Sequence, residues 1–465
     1  MLRATIIVLL PVLFMASAAF AQSPNLDSLE QSLFKAKTVE EKVRLRLEIG
    51  EHSKSESEAL RNFETAKKMA IGQSNALNAS VHSAIAVFYS RNGDLELAIS
   101  EKLKEVVIWR SANVRTELAD ALFGLAKIQR DAYNLDDALR TNREAGDLYG
   151  SLENYSKQIE CLNRLGIIHK NLQNYAQALP LYHEAYNLSV KYGLEGKKSS
   201  TCINIGVILK NQENYDGALE QYYIAEEISL DSKNYGNLAS IYNNIGNVLR
   251  LKKDFDKALK YYQLALDNRK KSGKKRDLGY TYNNMSIVYK EQGDLNQAAR
   301  YLKKAEKAKI EVKDYESIAA TYLNFAELYL ESQSNANFEK YASLAEKYAT
   351  QFEQAEILRE VRINYGKFEA NNGNYKEAYY YLEHVFDELD TLDEGSQKIL
   401  TSVLQAHFKD EQNQSLIRTL SKTNAQLDKR TKELEEKEET SKMLIAALGF
   451  GTLILIVLTL LWFFK

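Results

Sequence analysis

A unit of forty residues recurs without slippage from about residue 80 to residue 388, and that period limits the chain to very few folds. Stepping by forty from Gly166 meets Gly206, Gly246, Ser286, Ala326 and Gly366, with Ala126 and Ala86 upstream. No residue in this register is larger than Ala or Ser. Twelve residues later a second register reads Ala98, Ala138, Ala178, Ala218, Ala258, Ala298 and Ala378, with Phe338 as its exception. Small residues at fixed points of paired helices let neighbouring helices approach closely, so the period predicts a stack of helical hairpins whose core grows along one axis. The prolines agree. Only Pro11, Pro24 and Pro180 occur in 465 residues, and Ala, Leu, Lys, Glu and Tyr fall at helical spacing, which predicts an all-α chain.

Turn residues punctuate the units at Asn92-Gly93-Asp94, Gln173-Asn174, Glu213-Asn214, Gln292-Gly293-Asp294 and Asn372-Gly373-Asn374. A degenerate first unit is expected over about Val39 to Ala70, preceded by a short helix from Leu26 to Lys37. Eight clearer units follow.

Both termini carry membrane signals. Arg3, an apolar run from Ile6 to Phe20 and Ala19-Phe20-Ala21 predict a secretory signal peptide over 1–21. The uncharged stretch 443–464 is long enough to span a bilayer and predicts a transmembrane helix. Together they place the repeats (22–390) outside the cytoplasm, in the periplasm of a cell with two membranes. The segment 391–442 is expected to form a helical stalk with a short coiled coil: Ile417, Leu420, Leu427 and Leu434 make a heptad seam with Asn424 at an inner position. Ala447 and Gly451 stand four apart, a spacing that supports close contact between membrane helices. Seam and small-residue pair predict a parallel homodimer.

Chemistry is sparse. The six histidines are scattered without metal-ligand spacing, and neither a phosphate-cradling glycine loop nor a nucleophile elbow is present. No enzyme, metal or cofactor is predicted. The net charge of −2 gives no reason to propose nucleic acid. Cys161 and Cys202 lie on equivalent first helices of adjacent units, where an oxidising compartment permits a disulfide; the one-residue stagger argues against good geometry, and buried free thiols are expected.

The copies Leu165-Gly166, Asn174-Tyr175, Ala178, Tyr182, Ala185 and Ile205-Gly206, Asn214-Tyr215, Ala218, Tyr222, Ala225 resemble the tetratricopeptide repeat family in its forty-residue form, as does the unit around Ile245-Gly246. The proline that often closes that family's unit is absent, which fits a longer second helix. The resemblance implies an α-solenoid whose first helices line a concave groove that binds a protein or peptide.

Two columns are candidates for that groove. Two residues before the small position stand Asn204, Asn244, Asn284, Asn324 and Asn364, doubled by Asn243 and Asn283. Asparagine can bond a peptide backbone with both its donor and its acceptor. It can equally tie one unit to the next, and that reading is preferred for the single column, the ligand reading for the doubled pairs. Four residues after the small position stand Arg130, Lys170, Lys210, Arg250 and Lys290. A basic stripe would attract an acidic segment or a carboxylate. The same cations in the last turn of a helix are also favoured by its dipole, by roughly 0.3–1 kcal/mol each. The layout resembles the sensory half of bacterial membrane histidine kinases with such repeats, without residues that match their phosphoacceptor or ATP-binding parts. That implies an input role, against the alternative of a tethered scaffold that transmits nothing.

Overall fold

The structure, a computed structural model, describes residues 26–273, 275–383, 385, 401, 403, 426–427 and 429–442. The sequence-predicted signal peptide, the membrane span 443–464, and Ile417, Leu420, Asn424, Ala447 and Gly451 lie outside the described residues. Among the described residues no helix is long and apolar enough to cross a membrane. Residues 429–442 are helical, with Leu434 exposed on that helix.

The described residues form α-helices and one short 3-10 turn, Lys275–Asp277, with no strand among them. The chain divides after Ser272 into two units. Unit 1 opens with Leu26–Lys35 and continues as antiparallel hairpins, from Val39–His52 with Glu56–Ala70 to Tyr235–Leu251 with Phe255–Lys271. Unit 2 holds the hairpins Leu278–Glu291 with Leu295–Glu311, Tyr315–Glu331 with Asn335–Gln351, and Ala355–Asn371 with Tyr375–Glu383.

The forty-residue period resolves into two twenties. From Leu95 onward almost every helix is 17 residues long, as in Tyr155–Asn171 and Tyr175–Lys191. Each is closed by one residue with positive φ: Gln173 (57°), Glu213 (60°) and Lys253 (60°) within hairpins, and Glu153, Lys233, Lys313 and Glu353 between them. The backbone bonds identify the closure. Asn174 N–H donates to the His169 carbonyl and Gln173 N–H to the Lys170 carbonyl, the paired pattern of a Schellman motif. Each turn therefore satisfies carbonyls that the helix end would otherwise leave bare.

The small position explains how the two helices of a hairpin meet. A Cβ added to Gly166 would lie 2.5 Å from Tyr182 Cε1, one on Gly206 2.5 Å from Tyr222 Cε1, and one on Gly246 2.7 Å from Tyr262 Cε1. The ring sixteen residues on occupies the space a side chain at the small position would need, and all three tyrosines are fully buried. Burial of such a ring contributes about 1.5–3 kcal/mol. Gly50 receives Phe63 in the same way in the degenerate first unit. The second register fills the same core: Ala138, Ala178, Ala218 and Ala258 are fully buried, and Phe338, the exception, stacks on Phe368 at 4.4 Å. Cys161 and Cys202 are free and buried, and burial pushes their thiols up to about 12 and about 11.

Candidate functional site

In unit 1 the basic column sits on the last turns of successive first helices, where the Schellman closure ends each helix and the dipole favours cations. The side chains are half-buried. Arg130 turns to its neighbour, donating to the Asp131 carboxylate at 2.7 Å. Lys170 and Lys210 have no carboxylate partner among the described residues. Burial lowers the Lys170 ammonium from its ordinary value. Lys210 is lowered by burial and then by the like charges of Arg250 and Lys170. Cations from three consecutive hairpins thus feel one another, which the helix dipole alone would not produce.

In unit 2 the column ends differently. Lys290 donates to Glu327 at 2.6 Å, a carboxylate on the next first helix. Sequence reasoning missed Glu327, whose only signal was its place one residue after a small position, where Ile167 and Val207 stand in unit 1.

The asparagines divide by position. Asn204 donates to Asn163 Oδ1 at 3.3 Å, and Asn163 exchanges hydrogen bonds with Thr201 at 3.0 and 3.2 Å. These bonds tie adjacent first helices. Asn283 is 7% exposed and donates to Thr321 at 3.1 Å. Three residues before the small position this asparagine faces the next first helix, whose threonine takes its amide N–H, while its Oδ1 is buried without a partner among the described residues. Asn243, Asn244, Asn284 and Asn324 are half-buried. Asn364 is only 5% exposed and lines a cavity of about 550 Å³ with Lys290, Glu327, Glu331, Glu360 and Lys367.

A separate charged cluster in unit 1 was not singled out by the sequence. Glu101, on Leu95–Ser111, is 8% exposed and meets His82, Lys67 and Lys104. Burial alone would raise its carboxyl; the hydrogen bonds from His82 and Lys104 and the charge of Lys67 outweigh that and hold it at about 2. Such a fully compensated group braces the helices it joins. Among the described residues, no group of three His, Cys, Asp or Glu side chains is placed to hold a metal ion.

Comparison with known proteins gives two family matches and a set of similar folds. Tetratricopeptide repeat models match residues 237–311 and 159–191. No curated protein matches the chain. The apo form of the quorum sensor NprR from B. thuringiensis is 16% identical, over 75% of this chain and 99% of that one, at a TM-score of 0.51. Aspartyl phosphate phosphatase F from Bacillus subtilis is 15% identical, over 73% and 97% of the two chains, also at 0.51. BtubC from P. vanneervenii is 23% identical, over 47% and 92%, at 0.43. At these identities the likeness is one of fold. The matched models place tetratricopeptide repeats at residues 159–191 and 237–311, within a run of hairpins of the same design.

Proposed function

We propose that this protein captures an acidic segment of a partner protein or peptide on the first-helix face of unit 1, and does so while held at a membrane by residues 443–464. The observation that carries the binding reading is the state of Lys170 and Lys210. Both are half-buried, both lie below their ordinary pKa, and neither has a carboxylate among the described residues. An acidic segment laid across them would supply the missing counter-charge. Asn204, on the first helix of Lys210, and Asn244, on the first helix of Arg250, stand six residues before those cations and can bond its backbone. Long-range attraction of this kind raises association rates and weakens with salt.

Membrane anchorage, an extracytoplasmic location and dimerisation through the stalk rest on the sequence of 1–21 and 417–464. A sensory input and a tethered scaffold both use the same capture step. They differ in what the captured partner is.

Crosslinking in intact membranes, followed by mass spectrometry, tests the reading. Wild type is expected to recover a partner with an acidic stretch, and Lys170→Glu with Lys210→Glu to lose it while remaining in the membrane fraction. A partner with its own cytoplasmic domain supports sensory input; exported or envelope proteins alone support the scaffold. Undiminished recovery by the double variant would remove the basic face from the model, and release of wild type by alkaline carbonate would remove the anchor.

A further inference from the structure

We infer that the first hairpin of unit 1 and the helix that precedes it hold a second binding site, for a single-tailed carboxylate such as a medium-chain fatty acid. The leading helix Leu26–Lys35 docks Leu29 and Leu33 on Leu45 and Ile49. It is a single helix rather than a hairpin. Beside it a cavity of about 540 Å³ opens between that helix, Val39–His52 and Glu56–Ala70. Sites for small molecules span about 300–1,000 Å³.

The lining divides by chemistry. Leu33, Phe34 and Met69 make its apolar side, and Phe34 is 93% exposed. A large ring left in water beside a cavity is surface that an apolar ligand would cover. Lys42 and Arg46 make the polar side, one turn apart on Val39–His52 in a stripe that continues to Ile49. Neither cation has an ion-pair partner among the described residues, and against the two stands a single lining carboxylate, Glu30. The excess is positive, so the complementary head is an anion.

Arg46 supplies the independent sign of a ligand. Its Nη1 donates to Asn62 Oδ1 at 3.1 Å, and Asn62 is itself held, donating to the Glu58 carbonyl at 3.0 Å. The guanidinium is thereby fixed in orientation. Its Nε is buried and meets no acceptor among the described residues. Leaving a buried donor of a charged group unpaired is costly. Nε and Nη2 lie along one edge of a guanidinium, the edge that takes both oxygens of a carboxylate. A phosphate monoester would bring nearly two charges toward Glu30, whereas a carboxylate brings one. With its head on Arg46 and Lys42, the ligand lays its tail on Phe34, Leu33 and Met69.

This site does not depend on the basic face at Lys170 and Lys210, and its test leaves that face untouched. The full-length protein in zwitterionic nanodiscs, with empty discs as the blank, is titrated calorimetrically with octanoate, octylammonium, octyl phosphate and acetate. Octanoate is expected to bind saturably, roughly tenfold or more tighter than the other three. Arg46→Met and Lys42→Met are each expected to weaken octanoate roughly tenfold at an unchanged thermal midpoint. Arg46→Lys keeps the charge but not the two-nitrogen edge, and is expected to recover little of the loss. Phe34→Ser changes a side chain that stands in water, so the fold is kept while octanoate binding weakens roughly threefold or more. Octylammonium or octyl phosphate binding as tightly as octanoate, octanoate binding unchanged in both Arg46→Met and Phe34→Ser, or no saturable binding would each overturn the proposal. So would a dimer that Phe34→Ser makes monomeric by light scattering, which would assign this face to a second copy of the chain.

Discussion

Unit 1 and unit 2 solve the same packing problem with different side chains. In three successive hairpins of unit 1 the joint between the helices is glycine against tyrosine: Gly166 with Tyr182, Gly206 with Tyr222, Gly246 with Tyr262. In unit 2 the corresponding pairs are Ser286 with Leu302, Ala326 with Ala342 and Gly366 with Leu382. The aromatic volume moves instead to Phe325 against Tyr341 at 4.3 Å and Phe338 against Phe368 at 4.4 Å. Size lost on one side of the joint is returned beside it, so total volume is held while the pieces change. The faces diverge as well. Unit 1 leaves Lys170 and Lys210 without counter-charge, whereas unit 2 answers Lys290 with Glu327 and adds carboxylates of its own. A repeated backbone thus leaves each unit free to specify a separate surface.

The largest expected effect breaks the joint of unit 1. Gly206→Ala drives a methyl to within 2.5 Å of a fully buried ring. It should cost about 2–3 kcal/mol by urea unfolding. Pairing it with Tyr222→Leu, which copies the Ser286–Leu302 arrangement of unit 2, should recover at least half of that relative to Tyr222→Leu alone. No recovery would mean the two joints are not equivalent.

The units should also lose stability with acid in different windows. The Glu101 carboxyl is held at about 2 against an ordinary 4.5, so its contribution is complete above 4.5 and is lost as pH falls toward 2. Integrated over that window, the loss is roughly 3 kcal/mol. In unit 2, Lys309 is wholly buried, donating to the Ser317 carbonyl, and burial lowers its ammonium from 10.5 to about 8 even with Asp314 nearby. A lowered lysine favours folding above 10.5 and loses that advantage as pH falls to about 8. Glu101→Gln should flatten the first slope in urea melts, and Lys309→Met the second. A slope that survives its variant assigns the titration to another group.

Unit 1 is itself uneven. The Tyr262 hydroxyl donates to Asn247 at 2.7 Å, but those of Tyr182 and Tyr222 are buried with no hydrogen-bond partner among the described residues. Where Asn247 stands, the other two repeats carry Ile167 and Val207. Tyr262→Phe should therefore cost about 1 kcal/mol, and Tyr222→Phe nothing or a small gain. Equal losses in the thermal midpoint would show that Tyr222 has a partner after all.

The smallest effect concerns the turns. Within hairpins, Leu278–Glu291 and Ala355–Asn371 of unit 2 close with Gly293 and Gly373, as Asn75–Asn92 of unit 1 does with Gly93, where the later hairpins of unit 1 use Gln173, Glu213 and Lys253 at φ near 60°. Left-handed geometry strains any residue with a Cβ, so Gln173→Gly should stabilise unit 1 by about 0.5 kcal/mol and Gly293→Gln should destabilise unit 2 similarly. Differential scanning calorimetry at matched pH resolves shifts of this size.

These contrasts also mark how far the sequence could be read. The hairpins follow from two registers of small residues, because each small residue is needed by the ring or helix that meets it. The half-period did not stand out. Turns such as Lys233, Lys313 and Glu353 use long polar residues that carry no turn signature, and only their φ betrays them. The site was legible as columns but not as contacts. Whether an asparagine ties or a lysine stays free depends on a partner some forty residues away, Thr321 for Asn283 and Glu327 for Lys290. Periodicity places both members of such a pair on one face; it does not say that they touch.

The central claim is that the first-helix face of unit 1 binds an acidic segment through Lys170 and Lys210. Fluorescence anisotropy of a labelled glutamate-rich peptide, titrated with the wild-type protein and with the Lys170→Glu, Lys210→Glu variant at low and high salt, tests it directly. The account predicts saturable binding to wild type that weakens as salt rises, and at least a tenfold loss in the variant at low salt with an unchanged thermal midpoint. Binding that is equally tight in the variant, or insensitive to salt, would contradict it.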